Sequence, residues 1–283
     1  MTALINSGKK PLSEHEEDEE DLLAAMLRCD LFCLMRSRDC PRTLVRPLEL
    51  RREDQQLKGT LVLVFDDQAY SVAELAREIL GGHEGAYFSR LHHEVRQKSY
   101  LLGRYAAKLA LGELLVDKDL QAIEVVRGVF EQPIVRYNQN RGYSVTISHA
   151  GSMAVALAYP AGHPMGIDIE RLDKARYQTI VSQLSDQEMT LVEGAGVDRL
   201  RLATGFWTAK EALAKVLTTG LMTPFQVYNL AEFRLTSTGT WEGLFQNFAQ
   251  YKAAVWIGSS YTFALVLPKR TALGLEDDLR QVL

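Results

Sequence analysis

The sequence predicts an α+β fold with two similar halves, and two internal likenesses support this prediction. Residues 152–160 resemble 260–268 at an offset of 108 positions, and each segment follows a strand pattern and a turn of small residues. At an offset of 107, three positions of one predicted helix match three of another: Tyr100, Arg104 and Lys108 match Trp207, Glu211 and Lys215. We therefore expect two halves related by a pseudo-two-fold axis, with the site between them, because ligand clefts commonly form between domains. With so few identities, a chance likeness stays open as the alternative.

Composition restricts the class of protein. The chain has 283 residues, 47% of them hydrophobic, which is enough for a core and excludes global disorder. No apolar run reaches the roughly 18–20 residues of a membrane span, and residues 1–11 lack the apolar centre of a signal peptide. The three cysteines have neither zinc-ligand spacing nor the even number of a disulfide scaffold. The net charge of −4 does not indicate a nucleic-acid-binding protein. From these features together we expect a cytoplasmic protein that binds neither nucleic acid nor membrane, and we expect it to be a monomer.

The first 58 residues are predicted to be an extension that precedes the two halves. Residues 1–21 carry seven acidic side chains and two lysines, and like charges at this density stay in water. We interpret them as a solvated tail, with mimicry of an acidic ligand as the alternative. Residues 20–35 have helical spacing, and the arginine-rich 36–58, which contains two prolines, is interpreted as an irregular connector. The expected domains are 1–58, an N-terminal α+β half over 59–163 and a C-terminal α+β half over 164–283.

Strand and helix patterns alternate along both halves. In the first half we expect a strand over 60–65, helices over 71–80 and 87–115, and strands over 123–126, 134–137, 143–147 and 154–159. The second half is expected to contain a strand over 166–169, helices over 177–182, 186–193 and 199–217, and strands over 228–235, 253–258 and 261–267. The long first-half helix is expected to break near Ser99, and residues 148–152 are expected to form a hairpin turn.

A pair of carboxylates is the first candidate for chemistry. In Gly166–Glu170 the side chains of Asp168 and Glu170 are two apart on a strand, so they share one face, whereas Ile167 and Ile169 point into a core. Two carboxylates side by side repel unless a cation lies between them, and oxygen ligands favour a hard ion such as Mg²⁺. A solvated edge strand is the alternative interpretation.

A helix supplies the second candidate group. Trp207, Glu211 and Lys215 are four apart and lie on one helix face, so Glu211 is a third carboxylate for the metal and Lys215 a cation for a phosphate. An ordinary helical Glu–Lys pair is the alternative. Ser148 and His149 add a hydroxyl and an imidazole near a strand end, and the absence of a Gly-x-Ser-x-Gly elbow argues against a serine hydrolase.

Together these motifs resemble the Sfp-type 4′-phosphopantetheinyl transferases, over roughly residues 60–268. The resemblance rests on Gly-Ile-Asp-Ile-Glu, on Trp-x-x-Lys-Glu-Ala-x-x-Lys about forty residues later, and on the preceding Ser-His hairpin. It implies the family's paired α+β halves and an enzyme of the holo-acyl-carrier-protein synthase type. Such an enzyme moves 4′-phosphopantetheine from coenzyme A to a serine of an apo acyl or peptidyl carrier protein and releases adenosine 3′,5′-bisphosphate. Carriers of fatty-acid, polyketide and nonribosomal-peptide synthesis all stay possible.

The resemblance also implies roles for individual residues. Asp168, Glu170 and Glu211 would bind Mg²⁺. Glu211 would also help to deprotonate the carrier serine, and Lys215 would contact the pyrophosphate. Residues expected to bind coenzyme A are Ser148, His149, Gln132, Pro133, Arg96, Lys98, Arg104 and Lys215. Low-ranked candidates for the carrier surface are Lys174, Arg176, Leu221 and Met222.

One position departs from the family pattern. Where the family often has Gly-Lys-Pro, this chain has Glu131-Gln132-Pro133, so one charged phosphate contact is in doubt. Two other functions are weighed: a Mg²⁺-dependent nuclease or phosphohydrolase that uses the same carboxylates, and a non-catalytic carrier-binding protein with a decayed site. The near-neutral core argues against the nuclease, and the presence of all three carboxylates with Lys215 argues against decay.

Overall fold

Two five-stranded antiparallel sheets, each crossed by a long helix, form most of the described chain. The computed structural model describes residues 40–67, 69–137, 142–275 and 279–283. The predicted acidic tail and the helix over 20–35 lie outside these residues. Residues 41–283 form one compact unit. No helix among the described residues is both long and apolar enough to cross a membrane.

The helices and strands are as follows. The strands are β1 Arg42–Arg52, β2 Gln55–Phe65, β3 Glu124–Arg127, β4 Pro133–Arg136, β5 Tyr143–Ala150, β6 Met153–Pro160, β7 Gly166–Arg171, β8 Leu230–Leu235, β9 Trp241–Phe245, β10 Tyr251–Ile257, β11 Tyr261–Pro268 and β12 Ala272–Gly274. The α-helices are α1 Val72–Ile79, α2 Gly82–Phe88, α3 Glu94–Leu115, α4 Tyr177–Val181, α5 Asp186–Gly194 and α6 Arg199–Val216. Short 3₁₀ turns cover Lys174–Arg176, Gly220–Met222, Phe225–Tyr228 and Leu279–Gln281.

The first sheet has the strand order β12-β1-β2-β6-β5 and corrects the prediction for residues 36–58. Strand β1 pairs with β2 over its whole length, from Arg42 opposite Phe65 to Arg52 opposite Gln55, so the described part of this region is not an irregular connector. The strand was not predicted because Pro47 lies within it, and a proline usually argues against a strand. A proline is tolerated here because β12 covers β1 only over 49–51, which leaves β1 an edge strand at Pro47.

The second sheet has the order β7-β11-β10-β9-β8 and shares a hydrophobic core with the first. Ile167 and Ile169 of β7 are buried in this shared core together with Leu61 and Leu63 of β2, as the alternation in β7 predicts. The opposite face of the second sheet packs against α6, where Phe206 and its neighbours form a separate apolar cluster. Strand β7 therefore runs where the two sheets meet.

Other boundaries differ from prediction in places that bear on the site. The long helical stretch breaks over 89–93 rather than near Ser99, so α3 begins at Glu94. The hairpin turn is shorter than predicted: Gly151, at φ +57°, and Ser152 form it, and β5 continues through Ser148 and His149. Strands β9 and β12 were not predicted. The proposed domain boundaries at 58 and 163 stay predictions.

A buried ion pair recurs in the two parts of the chain. Glu84 of α2 pairs with Lys108 of α3, and Glu188 of α5 pairs with Lys210 of α6 at 2.6 Å; all four side chains are fully buried. Each glutamate also accepts hydrogen bonds from the backbone N–H that precedes its helix and from one strand N–H. The N–H donors are those of Gly81 and Val125 for Glu84, and those of Ser185 and Leu230 for Glu188. In each of the two parts of the chain, a buried glutamate thus links the first turn of a helix to a strand through hydrogen bonds.

These contacts correct the predicted helix match. By its partner, Lys108 corresponds to Lys210 and not to Lys215, so the helices match at an offset of 102 and the predicted offset of 107 is wrong. Two glycines agree with this correction: a Cβ at Gly103 would meet the side chains of His149 and Ile147 on β5, and one at Gly205 would meet Ile257 on β10. The predicted strand likeness corresponds to β6 and β11, which are both second strands of hairpins. The repeated contacts favour two related halves, and the pseudo-two-fold axis itself stays a prediction.

The buried pair in the second sheet's half should be a large contributor to stability. We expect Glu188→Gln to lower the free energy of unfolding by about 3–5 kcal/mol, because it leaves the Lys210 ammonium buried without its counter-charge. Urea denaturation measures the change. Glu193→Gln is the matched control, since its pair with Arg199 is long, at 3.8 Å, and exposed, and it should change stability by less than about 1 kcal/mol. Equal effects of the two substitutions would contradict this account.

Candidate active site

The candidate site lies where β7 passes between β5 of the first sheet and α6 of the second. Asp168 projects from β7 on the face opposite the isoleucines, and it is only 5% exposed. The sequence predicts a solvent-facing carboxylate at this position. Burial follows because β5 covers one side of the strand and α6 the other.

Two donors hold one oxygen of this carboxylate. Ser148 Oγ donates to Asp168 Oδ1 at 2.7 Å, and Lys215 Nζ donates to the same oxygen at 2.8 Å. Ser148 also accepts from the Ile169 N–H at 3.3 Å, and Lys215 donates to the Ile147 carbonyl at 3.2 Å. Asp168 Oδ2 is buried and has no hydrogen-bond partner in the described chain. Burial raises the pKa of Asp168, and Lys215 and Ser148 oppose that rise.

Glu170, two residues further along β7, has different partners. Trp207 Nε1 of α6 donates to Glu170 Oε1 at 2.9 Å. Both terminal nitrogens of Arg176 donate to Glu170, one to each carboxylate oxygen, and the longer contact is 3.3 Å. The Trp207 ring stacks on Phe225 with centroids 4.6 Å apart. Glu170 is therefore fixed by the start of the 174–181 helical segment and by α6.

Glu211 lies one helical turn from both Trp207 and Lys215 on α6. Its carboxylate makes no hydrogen bond or salt bridge with any residue that the structure describes. Burial raises its pKa to about 7, the Asp168 and Glu170 charges add to the rise, and Lys215 opposes it. The three predicted carboxylates are therefore near enough to influence one another's ionisation.

His149 lies on the other side of the site, against α3. The imidazole fits because Gly103 has no side chain: a Cβ there would lie 2.3 Å from His149 Nε2. His149 is exposed on one side, but the protein atoms packed around its ring remove hydration, and this loss, followed by the positive charges of Lys215 and Arg104, lowers its pKa to about 4. The ring is therefore neutral near pH 7. Arg104, mostly buried, packs over the Tyr100 ring at 4.5 Å, so three donors, one neutral and two cationic, surround this part of the site.

The remaining predicted binding residues have no contact with this group. Arg96 and Lys98 lie in the first turns of α3, where Lys98 Nζ is 4.0 Å from Asp66 Oδ2. Gln132 stabilises the β3–β4 turn, since its Oε1 accepts from the Phe130 N–H at 2.8 Å. Pro133 begins β4. The geometry does not bring these four residues to the carboxylates.

The three carboxylates are chemically suitable ligands for a divalent metal ion, but their side chains are not arranged around a common metal position. Among the described residues, no group of three His, Cys, Asp or Glu side chains is arranged to hold a metal. The buried, partnerless Asp168 Oδ2 and the unpaired Glu211 carboxylate are the oxygens that lack a cation. The carboxylate of Glu170, in contrast, already forms an ion pair with the guanidinium of Arg176. Hard oxygen donors of this kind suit Mg²⁺.

Two residues of the site make contacts that differ from the roles predicted for them from the sequence. Ser148 is predicted to bind a phosphate, yet its hydroxyl proton is used in the bond to Asp168. Arg176 is predicted only as a surface residue, whereas it is the ion-pair partner of Glu170. Neither could be read from spacing, because both contacts join separate elements. The four-residue spacing on α6 did predict that Trp207, Glu211 and Lys215 share a face.

Comparison with known proteins agrees with the resemblance found in the sequence. Residues 164–266, which include β7 and α6, match the 4′-phosphopantetheinyl transferase superfamily. A crystal structure of holo-[acyl-carrier-protein] synthase from Thermotoga maritima is similar over 48% of this chain and 74% of that one, with 18% sequence identity and a TM-score of 0.29. No curated protein sequence matches the chain. The family match over residues 164–266 confirms the resemblance at the level of the superfamily for that segment, and the Sfp type stays a prediction.

Glu211 should make stability depend on pH in the metal-free protein. Since the pKa of Glu211 in the folded protein is raised to about 7 from its ordinary value of 4.5, its contribution to stability is present below about pH 4.5 and is lost as the pH rises through 7. We expect Glu211→Gln to gain stability relative to the wild type between pH 5 and pH 8, as measured by urea denaturation in EDTA. Glu232→Gln, at an exposed position of β8, is the control. A difference that does not vary with pH would contradict the assignment.

Proposed function

Since residues 164–266 carry the sequence pattern of the 4′-phosphopantetheinyl transferase superfamily, we propose that the chain transfers 4′-phosphopantetheine from coenzyme A to a serine of an apo acyl or peptidyl carrier protein. One observation carries this proposal beyond the family match. Within the matched segment, Asp168 is buried with one oxygen held by Ser148 and Lys215 and the other without a partner, beside the unpaired Glu211. This arrangement supports the proposal, because it offers oxygens to a cation and an ammonium group to a phosphate.

The proposed reaction is a displacement at phosphorus. The carrier serine Oγ forms a bond to the phosphorus that bears the pantetheine, and the bond from that phosphorus to the oxygen of adenosine 3′,5′-bisphosphate breaks. The electron pair of the broken bond leaves with the bisphosphate. The serine proton would pass to Glu211, directly or through a water molecule.

Asp168, Glu170 and Glu211 would hold Mg²⁺ in this proposal. A bound Mg²⁺ supplies positive charge that neutralises the pyrophosphate oxygens. Phosphoryl transfer depends mainly on positioning and on charge neutralisation, so the chain's own cations share this task. Lys215, 28% exposed, reaches the same position from α6 and would stabilise the charge on the departing bisphosphate.

Coenzyme A would enter on the side of β5 and α3. The ring of His149 already hydrogen-bonds to the Ser99 backbone, so it would donate its second N–H to a phosphate oxygen only in the protonated form, which a bound phosphate favours. Arg104 supplies a further cation on this side; its Nε makes no hydrogen bond within the described chain but lies 3.8 Å from Glu84 Oε1. Arg96, Lys98, Gln132 and Pro133 would contribute only to more distant parts of the coenzyme.

The direct test is modification of a carrier. Incubation with coenzyme A, Mg²⁺ and an apo carrier protein should add one phosphopantetheine group to the carrier, as intact-protein mass spectrometry detects, with release of adenosine 3′,5′-bisphosphate. A carrier whose acceptor serine is replaced by alanine is the control. Binding of the carrier without a mass gain would indicate a non-catalytic protein, and hydrolysis of coenzyme A alone would indicate a phosphohydrolase.

The carboxylates should be essential for transfer. We expect Asp168→Ala or Glu211→Ala to reduce the transfer rate by at least about a hundredfold, the scale of losing one preorganised electrostatic group. Circular dichroism should show that the fold persists. Glu242→Ala, on strand β9 of the same sheet but paired with Arg234, is the control. Near-normal Mg²⁺-dependent turnover in either site variant would exclude the metal assignment.

Lys215 should act on the transition state more than on binding. Because its charge is most useful when the leaving bisphosphate gains negative charge, we expect Lys215→Met to lower kcat by a larger factor than it raises KM for coenzyme A. Steady-state kinetics of Lys215→Met and of the exposed control Lys269→Met separate these effects. A change in KM alone would show that Lys215 is only a binding residue.

A further inference from the structure

Glu170 is the one carboxylate of the site whose charge is already balanced by an arginine. The guanidinium of Arg176 spans both of its oxygens, and the Trp207 indole donates to one of them. Three donors thus occupy Glu170, whereas Asp168 Oδ2 and the Glu211 carboxylate lack such partners in the described chain. A metal ion bound by all three carboxylates would compete with Arg176 for the oxygens of Glu170.

Electrostatic repulsion makes it unfavourable for a metal ion and the Arg176 guanidinium to contact Glu170 at the same time. Like charges beside one carboxylate repel, and a divalent ion repels a guanidinium about twice as strongly as a monovalent ion does. Lys215 already offsets Asp168 at 2.8 Å. If Arg176 stayed in place, two fixed cations and a divalent ion would share three carboxylates. The group would then carry a net positive charge, and the release of one cation from its carboxylate would relieve the repulsion.

Arg176 is the cation whose release costs least. Its side chain is 43% exposed, against 28% for Lys215, and it lies on the short 3₁₀ turn before α4. An arginine with this exposure keeps part of its hydration, so breaking its ion pair costs little. Lys215 has a second acceptor in the Ile147 carbonyl. The side-chain hydrogen bonds of Arg176 within the described chain go to Glu170, and its guanidinium also lies 5.9 Å from the centre of the Trp207 ring.

We propose that Arg176 is a resident counter-ion of Glu170 that a divalent metal ion displaces, so that Arg176 sets the metal affinity of the site. It is a positioning residue, since it acts through Glu170 and not on the substrate. The inference rests on the proposed function, because that function supplies the reason for a metal. It assigns Arg176 to the site and not to the carrier surface.

The test is metal binding in the absence of substrates. Free Mn²⁺, measured by electron paramagnetic resonance, gives the Kd of the wild type, of Arg176→Gln and of Arg176→Lys. We expect Arg176→Gln to lower the Kd for Mn²⁺ by about three- to tenfold, the scale of removing one partly solvated charge beside a divalent ion. Arg176→Lys keeps the charge and should stay near the wild-type Kd. Lys174→Gln, an exposed cation on the same 3₁₀ turn, should also leave the Kd unchanged.

Each outcome decides the inference. An unchanged or higher Kd in Arg176→Gln overturns it, and so does an equal fall in Arg176→Lys or Lys174→Gln, because these results would indicate a structural or a general charge effect. Thermal unfolding of each variant shows whether it is folded. Carrier modification by the wild type is measured separately at saturating Mg²⁺. If the carrier is modified while the Kd does not respond to Arg176→Gln, the counter-ion role fails and the transferase proposal stands.

Discussion

The site depends on one buried carboxylate. Asp168 lies on the strand where the two sheets meet, and it can be there only because Ser148 from one sheet and Lys215 from the helix of the other donate to it. A buried carboxylate without such donors would take up a proton or destabilise the fold. The interface between the sheets therefore does two things at once: it forms a hydrophobic core on the Ile167 side of β7 and a polar site on the Asp168 side.

Charge balance explains the rest of the site. Three carboxylates face two cations, Lys215 and Arg176, each of which pairs with one carboxylate. Glu211 is left without a partner in the described chain, and burial together with the charges of the other two carboxylates raises its pKa to about 7, so that it carries a proton in part of the molecules near neutral pH. A divalent ion would replace that proton and one of the side-chain cations. Under the proposed function, a site whose acidic oxygens exchange their counter-ions would suit a metal-dependent phosphoryl transfer.

Local patterns predicted most elements, whereas contacts between elements could not be predicted from them. The alternation in β7 gave the correct faces for Ile167 and Asp168, but not the burial of Asp168, which comes from β5 and α6. Helical spacing placed Glu211 and Lys215 together. Strand β1 was missed because Pro47 reads as a breaker until one knows that this part of the strand is an edge. The role of Arg176 depends on a turn meeting β7, and no sequence period encodes that.

Thermal unfolding with and without Mg²⁺ tests the central claim most directly. If Asp168 belongs to a cation site, Mg²⁺ binds only the folded state and raises its Tm, and the rise grows with the Mg²⁺ concentration. In Asp168→Asn, which keeps the size of the side chain but removes its charge, that rise should be lost, while NaCl at matched ionic strength should affect both proteins equally. An equal Mg²⁺-dependent rise in the wild type and in Asp168→Asn, or none in the wild type, would contradict the account.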